Sequence, residues 1–265
     1  MPSNYRRTAT RMGVSGILLA GLLPLAWAGP DGTWTFATGA DFSSGRYGES
    51  IRTDTWYLPV SAKYDAESWN LKLTIPYVTT RGPGNVKGSG ADRVETGTVG
   101  AVRKSTQGLG DVVLSGGHEV WESAAAGWSV DLLGKIKFGT GDSAKGLGTG
   151  KSDFTVAVET TKALGAHALF ASIGRRKMGD PEGTDFRDPW LASAGWSVRL
   201  GPTVSAGLVT DYRQRLTATG VSARDVTGFV TTKLGGGWKI QTYAVAGMSR
   251  SSPDLGVGVQ IFYTP

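Results

Sequence analysis

From residue 33 onward the chain alternates apolar and polar side chains with a period of two, in one segment after another. Between residues 128 and 138, Trp128, Val130, Leu132, Gly134, Ile136 and Phe138 make one file, while Ser129, Asp131, Lys135 and Lys137 make the other. Leu133 is the one exception. A helix would set Asp131 and Lys135 beside Leu132 and bury nothing cleanly, whereas a strand sends every charge to one side.

Twelve such segments are predicted, near residues 33–42, 51–64, 69–81, 111–122, 127–138, 153–163, 166–176, 189–200, 203–213, 225–233, 238–249 and 254–263. Each has about the ten residues that a tilted membrane strand needs. The connections alternate in length. Tight turns at 65–68, 123–126, 164–165, 201–202 and 234–237 lie between longer polar loops, the longest at 82–110. This is the organisation of an all-β, transmembrane, antiparallel up-and-down β-barrel of twelve strands, with both termini on the short-turn, periplasmic side.

The aromatic residues test this topology independently. Tyr64, Trp69, Trp128, Trp238 and Tyr263 fall outward at the periplasmic strand ends, and Trp56, Tyr77, Phe138, Phe154, Trp190 and Tyr212 fall outward at the opposite ends. Two aromatic belts mark two membrane interfaces. Trp121 breaks the parity of its segment and is expected to point inward. A soluble β-sandwich would use the same alternation with the apolar file inside, and it would need neither belt.

The ends and the composition agree with export. Arg6, Arg7 and Arg11 precede an apolar run over 14–25 and then Ala26-Trp27-Ala28, the pattern of a cleaved signal peptide over 1–28, leaving a barrel over 29–265. The expected mature part carries 25 Lys and Arg against 22 Asp and Glu, a net charge of only +3. The bases are spread singly along strands, which argues against nucleic acid as a partner. With no cysteine in the chain, stability has to come from a closed hydrogen-bond ladder. Gly258, Ile261 and Tyr263 have the spacing of the C-terminal signal read by the outer-membrane assembly machinery, with Thr264 and Pro265 beyond it. The expected surroundings are the outer-membrane bilayer and lipopolysaccharide.

Two segments carry a family resemblance. Gly108-Leu109-Gly110-Asp111 leads into a strand, and Lys137-Phe138-Gly139-Thr140-Gly141-Asp142 is followed by Gly146-Leu147-Gly148-Thr149-Gly150. Together with Gly174, Asp188 and Asp211-Tyr212-Arg213, they resemble a family of outer-membrane transporters named for the MetA (meta) pathway of phenol degradation. The resemblance covers about residues 100–263, with Gly139 where the family has proline. It implies a barrel and a transport role, and it implies no catalytic residue.

Other constellations weigh little. The segment 145–152 looks like a phosphate-binding loop but has Lys145 where the motif wants glycine, and no helix follows it. A barrel hydrolase needs a base beside a serine. Of the two histidines, His118 falls on the lipid-facing file and His167 in a tight turn, so no catalytic, cofactor or metal site is expected.

The inward-facing charges carry the functional expectation. By parity Lys63, Lys72, Glu119, Asp131, Lys135, Lys137, Glu159, Arg176, Arg199, Asp211, Arg213 and Lys233 point into the lumen, where lipid does not penalise charge. Those charges either line a pore or fill the barrel with salt bridges. Lys135, Lys137, Arg176, Asp211 and Arg213 ring the outer mouth, and the Gly-rich loop 82–110 is the candidate plug or gate. The expected function is passive passage of small, aromatic or anionic, solutes. The alternative is a structural or adhesive barrel with a plugged lumen that acts through its extracellular loops.

Overall fold

The computed structural model describes residues 32–95 and 104–265. The expected signal peptide over 1–28 lies outside the described residues, as does the middle of the long loop, 96–103.

The wall begins with three long strands, β1 (Thr33–Gly45), β2 (Thr53–Asp65) and β3 (Trp69–Gly82). Two short strands follow in the long loop, β4 (Val86–Lys87) and β5 (Val94–Glu95), with a single 3₁₀ turn, Gly90–Asp92, between them. The chain then returns to the wall as β6 (Lys104–Leu109), β7 (Val113–Ser123), β8 (Trp128–Lys137), β9 (Asp153–Leu164) and β10 (His167–Lys177). It ends with β11 (Trp190–Arg199), β12 (Val204–Arg213), β13 (Ala223–Gly235), β14 (Trp238–Gly247) and β15 (Leu255–Tyr263).

Every wall pairing is antiparallel between neighbours, and β1 closes the ring on β15 from Phe36↔Tyr263 to Ser44↔Leu255. Strands β6 and β7 both pair with β3, one above the other, so they form a single wall strand and the barrel has twelve. A closed ring leaves no unpaired edge to face lipid.

The expected segment 111–122 therefore starts earlier, at Lys104, and is interrupted at Gly110–Val112. The interruption has a local cause. The Gly110 N–H still bonds the Pro76 carbonyl at 2.9 Å, but the Asp111 side chain turns inward to accept the Gly141 N–H.

The burial pattern is the reverse of a soluble protein's. Lys137, Glu159 and Arg176 are each 1% exposed, whereas Trp56 is 49% and Trp238 46% exposed. Apolar side chains face out along the strands, and aromatic residues stand at both ends. Trp69 and Trp128 join Trp238 in the lower belt, and Tyr77, Phe154, Trp190 and Tyr212 form the upper one. With its long loops at one end and short turns at the other, this is an outer-membrane barrel.

Trp121 corrects the parity expectation. A β-bulge between Glu119 and Trp121 shifts the register, so Trp121 lies opposite Val130, on the outer file. It is exposed beside Val120. A bulge adds one residue to one strand only, which restores the outward direction that simple counting denied it.

Candidate functional site at the barrel mouth

The loop after β3 folds back into the outer end of the barrel. Val86 and Lys87 pair with Glu95 and Val94 as a small hairpin. The Gly88 N–H donates to the Gly146 carbonyl at 3.1 Å, and Thr53 Oγ1 donates to Asn85 Oδ1 at 3.1 Å. Val94 is fully buried against Met178, Phe186 and Leu216, which come from two other loops. Three long connections thus share one apolar contact above the lumen.

Three charged residues of the loop then meet the wall. Asp92 Oδ1 accepts from Lys135 Nζ at 2.6 Å and lies 3.1 Å from Arg176 Nη2. Arg93 Nη2 reaches Asp225 Oδ2 at 3.2 Å. Glu95 receives Arg213 Nη2 on both carboxylate oxygens, at 2.8 and 2.7 Å, while Arg213 Nη1 also donates to the Arg93 carbonyl. Burial alone would raise the Asp92 carboxyl, but the Lys135 ammonium and the Arg176 guanidinium outweigh it and hold the group down at about 2.

A second cluster lies beside the first, and it is built from the segments that carry the family resemblance. Lys137 Nζ donates to Asp111 Oδ2 at 2.7 Å, to Thr149 Oγ1 at 3.2 Å and to the Lys151 carbonyl at 3.0 Å, and lies 3.4 Å from Asp153. Asp111 Oδ1 accepts the Gly141 N–H at 2.8 Å, and Thr140 Oγ1 accepts the Val112 N–H at 2.9 Å. The glycines follow from the crowding. A Cβ on Gly148 would overlap the Asp111 carboxylate, and one on Gly139 would overlap the Gly150–Lys151 backbone. The motif is thus a folded joint that fixes the 139–152 loop to the wall.

Of the sequence-predicted set, the structure brings Lys135, Lys137, Arg176 and Arg213 together at the mouth. Asp211 joins them on β12, directly across the ladder from Asp225. Asp131 and Glu159 face each other lower down, in line with Glu119, on three adjacent strands. Arg199 and Lys233 are exposed at the periplasmic end, where Arg199 Nη2 caps the Gly165 carbonyl at 3.0 Å. They form no part of the mouth.

Sequence reasoning missed the partners, namely Asp92, Arg93, Glu95, Asp111, Asp153 and Asp225. One signal for the loop residues was available. Asp92-Arg93-Val94-Glu95 sets three charges around a valine in an otherwise Gly-rich stretch.

The two histidines lie away from this site. His118 is exposed on the outer file, and His167 Nδ1 accepts the Trp196 Nε1–H at 3.1 Å near a turn.

Comparison with known proteins agrees with the architecture. The profile of a family described as "Putative MetA-pathway of phenol degradation" matches residues 49–263. The COG4313 outer membrane channel from Pseudomonas putida F1 superposes with a TM-score of 0.67 at 11% identity, covering 92% of this chain and 99% of that one. The translocator domain of the autotransporter NalP from Neisseria meningitidis has a TM-score of 0.52 at 12% identity, covering 90% of each chain. The transport unit of the autotransporter AIDA-I from Escherichia coli also has a TM-score of 0.52, at 10% identity, covering 93% of this chain and 94% of that one. No curated protein matches by sequence.

Proposed function

The chain belongs to that phenol-degradation family of outer-membrane barrels, and from this premise we propose that it is a channel for small solutes, with the loop between β3 and β6 as its gate. The observation that carries the reading is how the loop is held. Asp92, Arg93 and Glu95 meet Lys135, Arg176, Asp225 and Arg213 through ion pairs at 2.6 to 3.2 Å. Coulombic contacts of this kind weaken when salt, voltage or a charged solute competes for them. Among the described residues of the loop the buried apolar side chains are Val86 and Val94, and Val94 packs with Met178, Phe186 and Leu216.

The inner wall below the mouth suits aromatic or anionic solutes. Phe170, Val209 and Phe229 form an inward apolar strip against which Tyr243 packs. The Phe170 ring lies across Gly195 and the Phe229 ring across Gly207, flat against the wall instead of across the lumen. On this reading Lys135, Lys137, Arg176, Asp211 and Arg213 line the entrance once the loop has left it, and Asp131 and Glu159 line the path further in.

A second reading, a structural or adhesive barrel, draws on the same burial. Lys137, Glu159 and Arg176 are 1% exposed, as in a filled lumen. Cross-linking separates the two. The chain has no cysteine, so Lys87→Cys and Lys145→Cys, which flank the Gly88–Gly146 contact, give one background-free site for a short bis-maleimide. A gate predicts that solute uptake into proteoliposomes falls on cross-linking and is unaffected by the single variants. Uptake that is absent with and without the cross-link sinks the channel reading and favours the filled barrel.

A further inference from the structure

We propose that Lys63, Lys72, Lys233 and Lys239, at the periplasmic end of the lumen, form a binding site for a small oxyanion. This deepens the channel reading and rests on it for how a solute reaches the site.

The four lysines come as two cross-strand pairs. Lys63 lies directly opposite Lys72 on β2 and β3, and Lys233 opposite Lys239 on β13 and β14. Two strands, β15 and β1, separate the pairs. The register runs from Lys239 through Phe262 and Ala37 to Ser61, two residues from Lys63 on the same face. Like charges directly opposite in a ladder are destabilising, so two such pairs on one arc need a purpose or a counter-ion.

The protein supplies part of that counter-charge. Lys63, Lys72 and Lys239 are each 7% exposed, while Lys233 is exposed and opens the cluster to the periplasmic side. Asp65 pairs with Lys63. The Lys239 side chain makes no hydrogen bond or ion pair among the described residues. Polar neighbours on the same arc include Gln241, whose amide donates to Thr231 Oγ1 at 2.9 Å, Gln260 opposite it, and Thr35 opposite Lys63. An ammonium group withdrawn from water is costly until an anion completes it.

Two of the lumen acids lie across the ring from one lysine pair. Asp131 and Glu159 occupy β8 and β9, and β8 stands opposite β14 and its Lys239 in the twelve-strand ring, whereas Glu119 is on β7, next to β3 and Lys72. An anion is repelled from Asp131 and Glu159 and drawn toward Lys233 and Lys239. A lysine is a point charge without the fork geometry of arginine, so the site selects charge and size more than shape. Carboxylates and phosphate are therefore both within its class.

The test is isothermal titration of the refolded full chain with inorganic phosphate and with benzoate, beside Lys72→Gln/Lys239→Gln and Lys72→Arg/Lys239→Arg variants. Folding of each is checked by heat-modifiable mobility. Saturable binding of either anion is expected. The Gln pair should weaken it at least about tenfold and the Arg pair should largely keep it. No binding to the wild type, or equal binding by a folded Gln pair, overturns the proposal. Titration needs no conducting pore, so binding by a barrel that never conducts keeps the site and sinks the channel. Conductance without binding does the reverse.

Discussion

Asp111 and Lys137 meet at 2.7 Å and tie the two halves of the family motif into one joint. Both side chains are buried, and Asp111 also accepts the Gly141 N–H. Removing one member of a buried, hydrogen-bonded ion pair costs about 3–5 kcal/mol, and Asp153, 3.4 Å from Lys137, offsets part of that here. Asp111→Ala is expected to lower the urea midpoint of the refolded barrel, read by heat-modifiable mobility. A midpoint equal to the wild type's would mean that the joint is ornamental.

The Asp92 ion pairs set a pH window for the loop. Its carboxyl ordinarily titrates near 3.8 and is held at about 2 in the folded barrel, because Lys135 and Arg176 outweigh its burial. A depressed carboxyl stabilises the folded arrangement above its ordinary value and loses that contribution as pH falls through the folded one. The docked loop is therefore expected to persist from neutral pH down to about 4 and to loosen between there and about 2. Proteolysis in the loop, probed with an acid-active protease across this range, checks it. Release already at pH 6 would contradict the assignment.

Trp121 provides a test of the bulge. In a chain without cysteine, Trp121→Cys carries one spin label, and outward orientation predicts that the label is relaxed by oxygen dissolved in lipid. Relaxation by a water-soluble nickel chelate instead would put position 121 in the lumen.

Some of this was legible in the sequence and some was not, for physical reasons. Alternation is a local property, so the twelve wall strands and the outward Trp56, Trp69, Trp190 and Trp238 could be read directly. The bulge at Trp121 could not, because it is set by the register of the partner strand through Val130. The inward direction of Lys135, Lys137, Arg176 and Arg213 was legible from parity. The neutralisation of Lys135, Arg176 and Arg213 was not, because Asp92 and Glu95 sit in a loop that has no period to read. The motif around Gly139 and Gly148 signalled kinship, while its structural purpose emerged only when Asp111 was seen between the two loops.

The central claim is that ion pairs hold the loop in the mouth of a channel. Planar-bilayer conductance of the refolded wild type beside an Asp92→Asn/Glu95→Gln double variant tests it most directly. The account predicts brief or rare openings in the wild type and sustained openings in the variant, because Lys135, Arg176 and Arg213 no longer hold the loop. A correctly folded variant as silent as the wild type would contradict it.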